Sequence, residues 1–145
     1  MTLQELDATL PNGFHDSYVS TLTVDYVHRN AILDISVWIG SIAAPAGPDR
    51  EKWQTGRLEL SGLLFCAIDP PDNTHDYAKP TALWIDLSPS EAPRNSSLDS
   101  LVRSLPTGAF ASSLFVQQWN AFIHFAAMEA SLTWQLYPGK DTNVG

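Results

Sequence analysis

The sequence holds a single cysteine, Cys66, so no internal disulfide can form. It lies in the apolar run Leu63-Leu64-Phe65-Cys66-Ala67-Ile68 with no basic neighbour. That setting argues against an activated thiolate and for a buried thiol in a cytoplasmic protein. Basic residues are scarce as well. Eight Lys+Arg stand against sixteen Asp+Glu, a net charge of −8 with neutral histidines. Such a surface repels phosphate backbones and anionic lipid headgroups, which argues against nucleic-acid and membrane partners. No apolar run approaches the roughly 18 residues of a membrane span. The opening MTLQELDATLPNG lacks the basic and apolar regions of a signal peptide. There is no Gly-x-Gly-x-x-Gly or Walker loop, no Gly-x-Ser-x-Gly elbow and no Cys-x-x-Cys pair. Hence no cofactor is expected, and no metal site.

What is present is apolar surface enough to fold: 44 % hydrophobic residues over 145 positions. That length fits one domain, 1–145. In Tyr18–Val27, Leu22, Val24 and Tyr26 alternate with Thr21, Thr23 and Asp25. Leu33, Ile35, Val37 and Ile39 then alternate within Ala31–Ile39. Joined through His28-Arg29-Asn30, the two segments predict a hairpin. Ala43–Pro48 reads as loop, with a helical turn possible at Pro48–Trp53. Arg57–Ile68 alternates and then turns continuously apolar, which suggests a strand with cover on both faces or a bulge at Gly62. Thr81–Leu87 is a fourth strand.

Residues 1–9 are a short helical lead-in or a frayed end. The clearest helical spacing is Leu98, Leu101, Val102, Leu105, preceded by Ser96 and Asp99 in a capping arrangement and followed by Pro106 and Gly108. The C-terminal third is ambiguous. Phe115, Trp119, Phe122, Ile123 and Ala126 fit a helix, so residues 113–127 could be either. Ala130, Leu132, Trp134 and Leu136 alternate as a strand. Two or three strands are favoured there, with Met128-Glu129 as a hairpin tip and Pro138–Gly145 as a tail. The sum predicts a mainly β protein with a minor α component: an antiparallel β-sandwich or open barrel with one short helix. Its core should hold Leu22, Val24, Leu33, Ile35, Val37, Leu60, Leu64, Leu83, Ile85, Leu132 and Trp134. Leu101 and Leu105 should cover one sheet face.

Chemistry-bearing residues are few. His15-Asp16 and His75-Asp76 are His-Asp dipeptides of the kind that supplies metal ligands in the helical HD phosphohydrolases, but the helices that family needs are missing. The plain alternative is a turn cap at Asp16 and a loop at His75. Asp25 points with Thr23 to solvent, and His28 sits in the hairpin turn. His124, between Ile123 and Phe125, reads as a hydrogen-bonded core residue. Thus His15, Asp16, Asp25, His28 and His124 are the weak catalytic candidates.

The most individual stretch is Leu10-Pro11-Asn12-Gly13-Phe14-His15-Asp16-Ser17. With Trp119-Asn120-Ala121-Phe122-Ile123-His124, it resembles small bacterial proteins grouped as a domain of unknown function, in which such a turn leads into a strand. The resemblance implies no activity. Read from its residues, the segment is a turn: Asn12-Gly13 reverses the chain with Gly13 at positive φ, Phe14 packs, and Asp16 accepts backbone amides.

The expectation is a non-enzymatic cytoplasmic domain that binds another protein, in one version an immunity-type protein covering a basic toxin with its acidic surface. A homo-oligomer paired through a sheet edge is a weaker version. The alternative is a small metal-dependent or His/Asp hydrolase, which requires two histidines and a carboxylate to converge in a cleft.

Overall fold

The computed structural model describes residues 1–88 and 96–135. Helix α1 (Leu3–Thr9) leads into β1 (Pro11–Phe14), β2 (Ser17–Asp25), β3 (Asn30–Trp38), β4 (Trp53–Ser61), β5 (Phe65–Ile68) and β6 (Leu83–Leu87). A 3-10 turn at Ser96–Leu98 and helix α2 (Asp99–Arg103) follow, then β7 (Phe110–Val116), β8 (Ala121–Ala127) and β9 (Glu129–Trp134). The fold is mainly β. Eight strands form one antiparallel sheet in the order β5-β8-β7-β6-β2-β3-β4-β9, not closed into a barrel. The proposed strand through Leu136 and the tail from Pro138 lie partly or wholly outside the described residues.

The sheet is rolled, and the connections show why. β8 and β9 are six places apart in the order, which in a flat sheet is about 29 Å at roughly 4.8 Å per strand. Only Met128 joins them, and a single residue reaches about 7 Å between the flanking Cα atoms. The two ends of the sheet therefore curl together. Met128 is not a hairpin tip, because β8 and β9 do not pair with each other. Instead β8 and β9 run on as one bent strand beside β4 and β5. Between the pairs Ser61↔Glu129 and Phe65↔Ala126, one strand spends one residue more than the other. That is a bulge, and Gly62 at φ 60° makes it. A Cβ there would fall 2.8 Å from Met128 Cβ.

Alternation places the core. Leu33, Ile35, Val37, Leu60 and Ile85 are buried, while Leu22, Val24, Leu83, Leu132 and Trp134 are half-buried against them. Leu64, at the bend, is half-buried. The helical expectations need correcting. α1 is no frayed end: Leu3 and Leu6 are buried, and the helix contacts β1, β7 and β9. Thr2 and Glu5 form a full capping box, each side chain bonded to the other's backbone N–H. α2 is only five residues long and buries none of them. Leu101 is 48 % exposed, so α2 does not cover a sheet face, and its N-cap has no side-chain bond. The apolar spacing was there, but so short a helix docks little area. Around Pro48 the chain makes a single turn, with the Arg50 and Glu51 N–H on the Gly47 carbonyl, before β4 starts at Trp53. Residues 113–127 are strands around a 3-10 turn at Gln117–Trp119.

Candidate functional site

The Leu10–Ser17 segment folds as a structural turn that aims His15 outward. Gly13 has φ 58°, and Phe14 is fully buried. The amide acceptor is Asp7, whose Oδ1 takes the Phe14 N–H at 2.7 Å. Asp16 does not play that part among the described contacts. Asn12 Nδ2 donates to the carbonyls of Trp38 (3.2 Å) and Gly40 (2.7 Å), pinning the turn to the end of β3. Asp16 takes φ 54°, a left-handed conformation that aspartate tolerates better than most residues.

Register then brings in a partner 70 residues away. Ser17 pairs with Ile85 and Tyr18 with Trp84, so Asp86 stands beside Asp16. Asp86 Oδ1 meets His15 Nδ1 at 2.6 Å and accepts the Asp16 N–H at 3.2 Å. Its Oδ2 accepts from Gln117 Nε2 at 2.9 Å. His15 Nε2 lies 3.2 Å from Asp16 Oδ2. The imidazole is thus clamped between two carboxylates. The Asp86 contact is a hydrogen bond, and the Asp16 contact is at ion-pair distance.

Tryptophans wall this site. Trp38 opposes Trp53 across the β3–β4 pair. The Trp38 ring stands 6.4 Å from His15, edge to face, and Trp84 packs on Trp53 (6.3 Å) and Tyr18 (5.2 Å). The Trp38 indole N–H donates to the Arg50 carbonyl at 2.6 Å, and the Trp53 indole to the Asp16 carbonyl at 3.2 Å. Between His15, Asp16, Trp38 and Trp53 opens a cleft of about 280 Å³, with Ile42, Arg50 and Glu51 at its rim. The His15 side chain is 62 % exposed.

The other candidates lie elsewhere. His28 is at the far end of β2, a nine-residue strand that spans about 30 Å. There Asp25 Oδ1 accepts the backbone N–H of Val27 and His28, and Oδ2 meets His28 Nδ1 at 2.7 Å. The His28 backbone N–H, and next its side chain, hold the Asp25 carboxyl below its ordinary range. His75 packs its ring on Tyr77 and Trp119, while Asp76 accepts the Ala78 N–H.

His124 is the core residue that the sequence suggests, with unexpected company. Its Nδ1 lies 2.7 Å from Ser113 Oγ, and its Nε2 2.9 Å from Asp69 Oδ2. The connectivity is that of a nucleophile, a base and an orienting carboxylate. Access is not: Ser113 and His124 are both 0 % exposed, so no substrate reaches the hydroxyl. The five candidates therefore do not converge. Asp86, Asp69, Ser113 and the tryptophan cluster were invisible as partners, because strand pairing brought them together. Partial burial pushes the Cys66 thiol up to about 11.

No family model matches the chain, and no curated protein or solved structure is significantly similar to it. No helix among the described residues is long and apolar enough to cross a membrane.

Proposed function

We propose that this chain is a non-enzymatic protein-binding module that takes a basic partner at the tryptophan-walled cleft. The observation that carries the reading is the pair Asp16–Asp86 beside an exposed His15, at a cleft lined by Trp38 and Trp53. Aromatic rings next to carboxylates suit a cationic side chain, by ion pairing and by attraction to the ring faces. The net charge of −8 adds long-range steering of a basic protein. An immunity-type protein covering a basic toxin is one version; self-pairing into a homo-oligomer is a weaker one. A cytoplasmic location belongs to the same proposal and is supported by the lone, half-buried Cys66.

Titration with poly-lysine at low salt, followed by tryptophan fluorescence, tests the reading. The expected result is a saturable change that 0.5 M salt (about 4–5 Å of Debye length) suppresses. Poly-glutamate should give none. An equal response to both polymers would sink the proposal.

One observation favours the alternative of a metal-dependent or His/Asp hydrolase: His15, Asp16 and Asp86 offer ligand atoms within 4.8 Å of one another. Against it, His15 Nδ1 and the Asp86 carboxylate are already bonded to each other, and a metal bridging them would have to break that bond. Adding zinc or manganese separates the readings. A rise in Tm that is lost in His15→Ala supports the hydrolase; the module should show no shift.

A further inference from the structure

We infer that a second copy of this chain docks at the groove between α1 and the edge of β9, each copy seating its Ser41–Pro48 loop in the groove of the other. The inference rests on the self-pairing version of the reading above and gives it a groove that shares no lining residue with the cleft. The groove measures about 410 Å³ and is walled by Leu6, Leu10, Pro11, Ile39, Leu132 and Trp134. Thr9 and Gln54 are its polar side chains, and no charged residue lines it. It also opens on backbone. The Ala130 N–H is taken by the Met1 carbonyl at 2.8 Å, so it points away from β4, while the Gln135 N–H turns toward β4 and meets the Thr55 carbonyl. Main-chain direction alternates along a strand, so Leu132 and Trp134 turn their N–H and C=O away from β4 as Ala130 does. Among the described residues no main-chain bond covers that edge beyond Ala130. An open strand edge beside an apolar groove is a place where a further segment adds.

The groove calls for an uncharged apolar segment, and the chain carries one next to it. The loop Ser41-Ile42-Ala43-Ala44-Pro45-Ala46-Gly47-Pro48 has no charged residue. Ile42 is 71 % exposed, and Ala43, Pro45, Ala46 and Pro48 are exposed beside it. The shape of the loop is set before docking. The Ser41 N–H bonds the Asp49 carbonyl at 3.0 Å, the Ala44 N–H the Ser41 carbonyl at 3.2 Å, and the Arg50 and Glu51 N–H both meet the Gly47 carbonyl. Such bracing lowers the ordering cost of association. The loop leaves from Ile39, itself a wall of the groove, so knob and groove adjoin. A two-fold axis uses that arrangement, because an isologous interface sets the same patch of both copies together. Charge favours a copy over a basic partner at this place. Two chains of net charge −8 repel each other, and they meet at least cost where neither presents an acid. A basic partner finds no carboxylate among the lining residues.

Sedimentation equilibrium of the whole chain, from about 5 to about 500 µM, reads the association. The expected result is a monomer–dimer equilibrium that tightens in 0.5 M salt (about 4–5 Å of Debye length), since screening removes like-charge repulsion and spares apolar contact. Poly-lysine binding at the cleft weakens in the same salt, so the two interactions carry opposite signatures. Ile42→Asp and Gln54→Lys should each weaken the dimer about tenfold or more, because each sets a charge into an apolar contact. Mixed in equal amounts, the two variants should associate to within about threefold of the parent: one seat of the mixed pair is native, and the other joins an introduced carboxylate to an introduced ammonium. Circular dichroism checks that each variant is folded, and Thr9→Lys, exposed at the same groove, takes the place of Gln54→Lys should that variant misfold. A parent chain that stays monomeric would overturn the inference and end the self-pairing version, while a poly-lysine response would leave the basic-partner reading standing. A dimer indifferent to both variants would overturn the groove and keep self-pairing. Variants that weaken the dimer singly and fail to restore it together would overturn the reciprocal seating.

Discussion

His15 and His124 each set both ring nitrogens against polar partners, an aspartate among them: His124 hydrogen-bonds at both, His15 at Nδ1 with Nε2 at ion-pair distance from Asp16. The difference is water. The His15 side chain is 62 % exposed on a turn, whereas His124 is fully buried where Ser113 faces it across the β7–β8 pair. The same chemistry therefore does two jobs. At an open site, a clamp on an imidazole leaves carboxylates and rings within reach of a ligand. In a sealed site, a seemingly catalytic Ser-His-Asp line becomes a means of satisfying polar groups that cannot reach water. Burial, not composition, separates the two histidines.

Removing the buried clamp should have the largest effect. His124→Ala leaves the Ser113 hydroxyl without its partner in the core and takes a donor from Asp69. Urea denaturation should show a loss of about 3 kcal/mol, the range for an orphaned buried hydrogen-bond network plus a cavity. A loss under about 1 kcal/mol would mean that the network is replaced by water and that the contrast with His15 is false.

The next effect concerns the turn that holds the open site. At Gly13 a Cβ would meet Asp7 Oδ1 at 2.5 Å, in a backbone with φ 58°. Gly13→Val should cost roughly 1–3 kcal/mol, from strain and from the lost Asp7 bond to Phe14. Melting that matches the parent chain would show that the turn is not rigid, and the cleft beside His15 would lose its preorganisation.

The strands were legible, and the bend in part. Alternation marked β2 and β3, and a bulge at Gly62 was one of two readings of the apolar run in Arg57–Ile68, which the structure divides into β4 and β5. Pairing was not legible. Asp16 and Asp86 are 70 positions apart, and nothing local says that β2 and β6 are neighbours; the same holds for Asp69, Ser113 and His124. α1 was legible in part: residues 1–9 read as a helical lead-in or a frayed end, and Thr2-x-x-Glu5 is the capping signature that selects the helix. α2 failed the other way, since a correct apolar period does not say what the stripe lies against.

His15→Ala should cost less than either change above, below about 1 kcal/mol, since exposed ion pairs contribute little. Denaturation midpoints close to the parent's would show that His15 does not hold the fold. A destabilisation as large as that of His124→Ala would erase the distinction between the two clamps.

Asp25 and His28 are a third pair of the same kind, at the tip of the β2–β3 hairpin with the His28 side chain 76 % exposed. They extend the comparison to the exposed extreme, where no denaturation experiment has the resolution to see them and titration does. The folded-state pKa of Asp25 lies below the ordinary 3.8, chiefly because the His28 backbone N–H favours the carboxylate and next because the His28 side chain does. The sign follows. A depressed folded pKa stabilises the native hairpin above the unfolded value, and that contribution is lost as pH falls through the folded one. Carboxyl-carbon NMR should therefore place the Asp25 midpoint under 3.8. His28→Ala should move the midpoint only part of the way back, because residue 28 keeps its backbone N–H. A full return in His28→Ala would show that the side chain, not the turn, holds the carboxylate, and an unshifted midpoint in the parent would show that neither does.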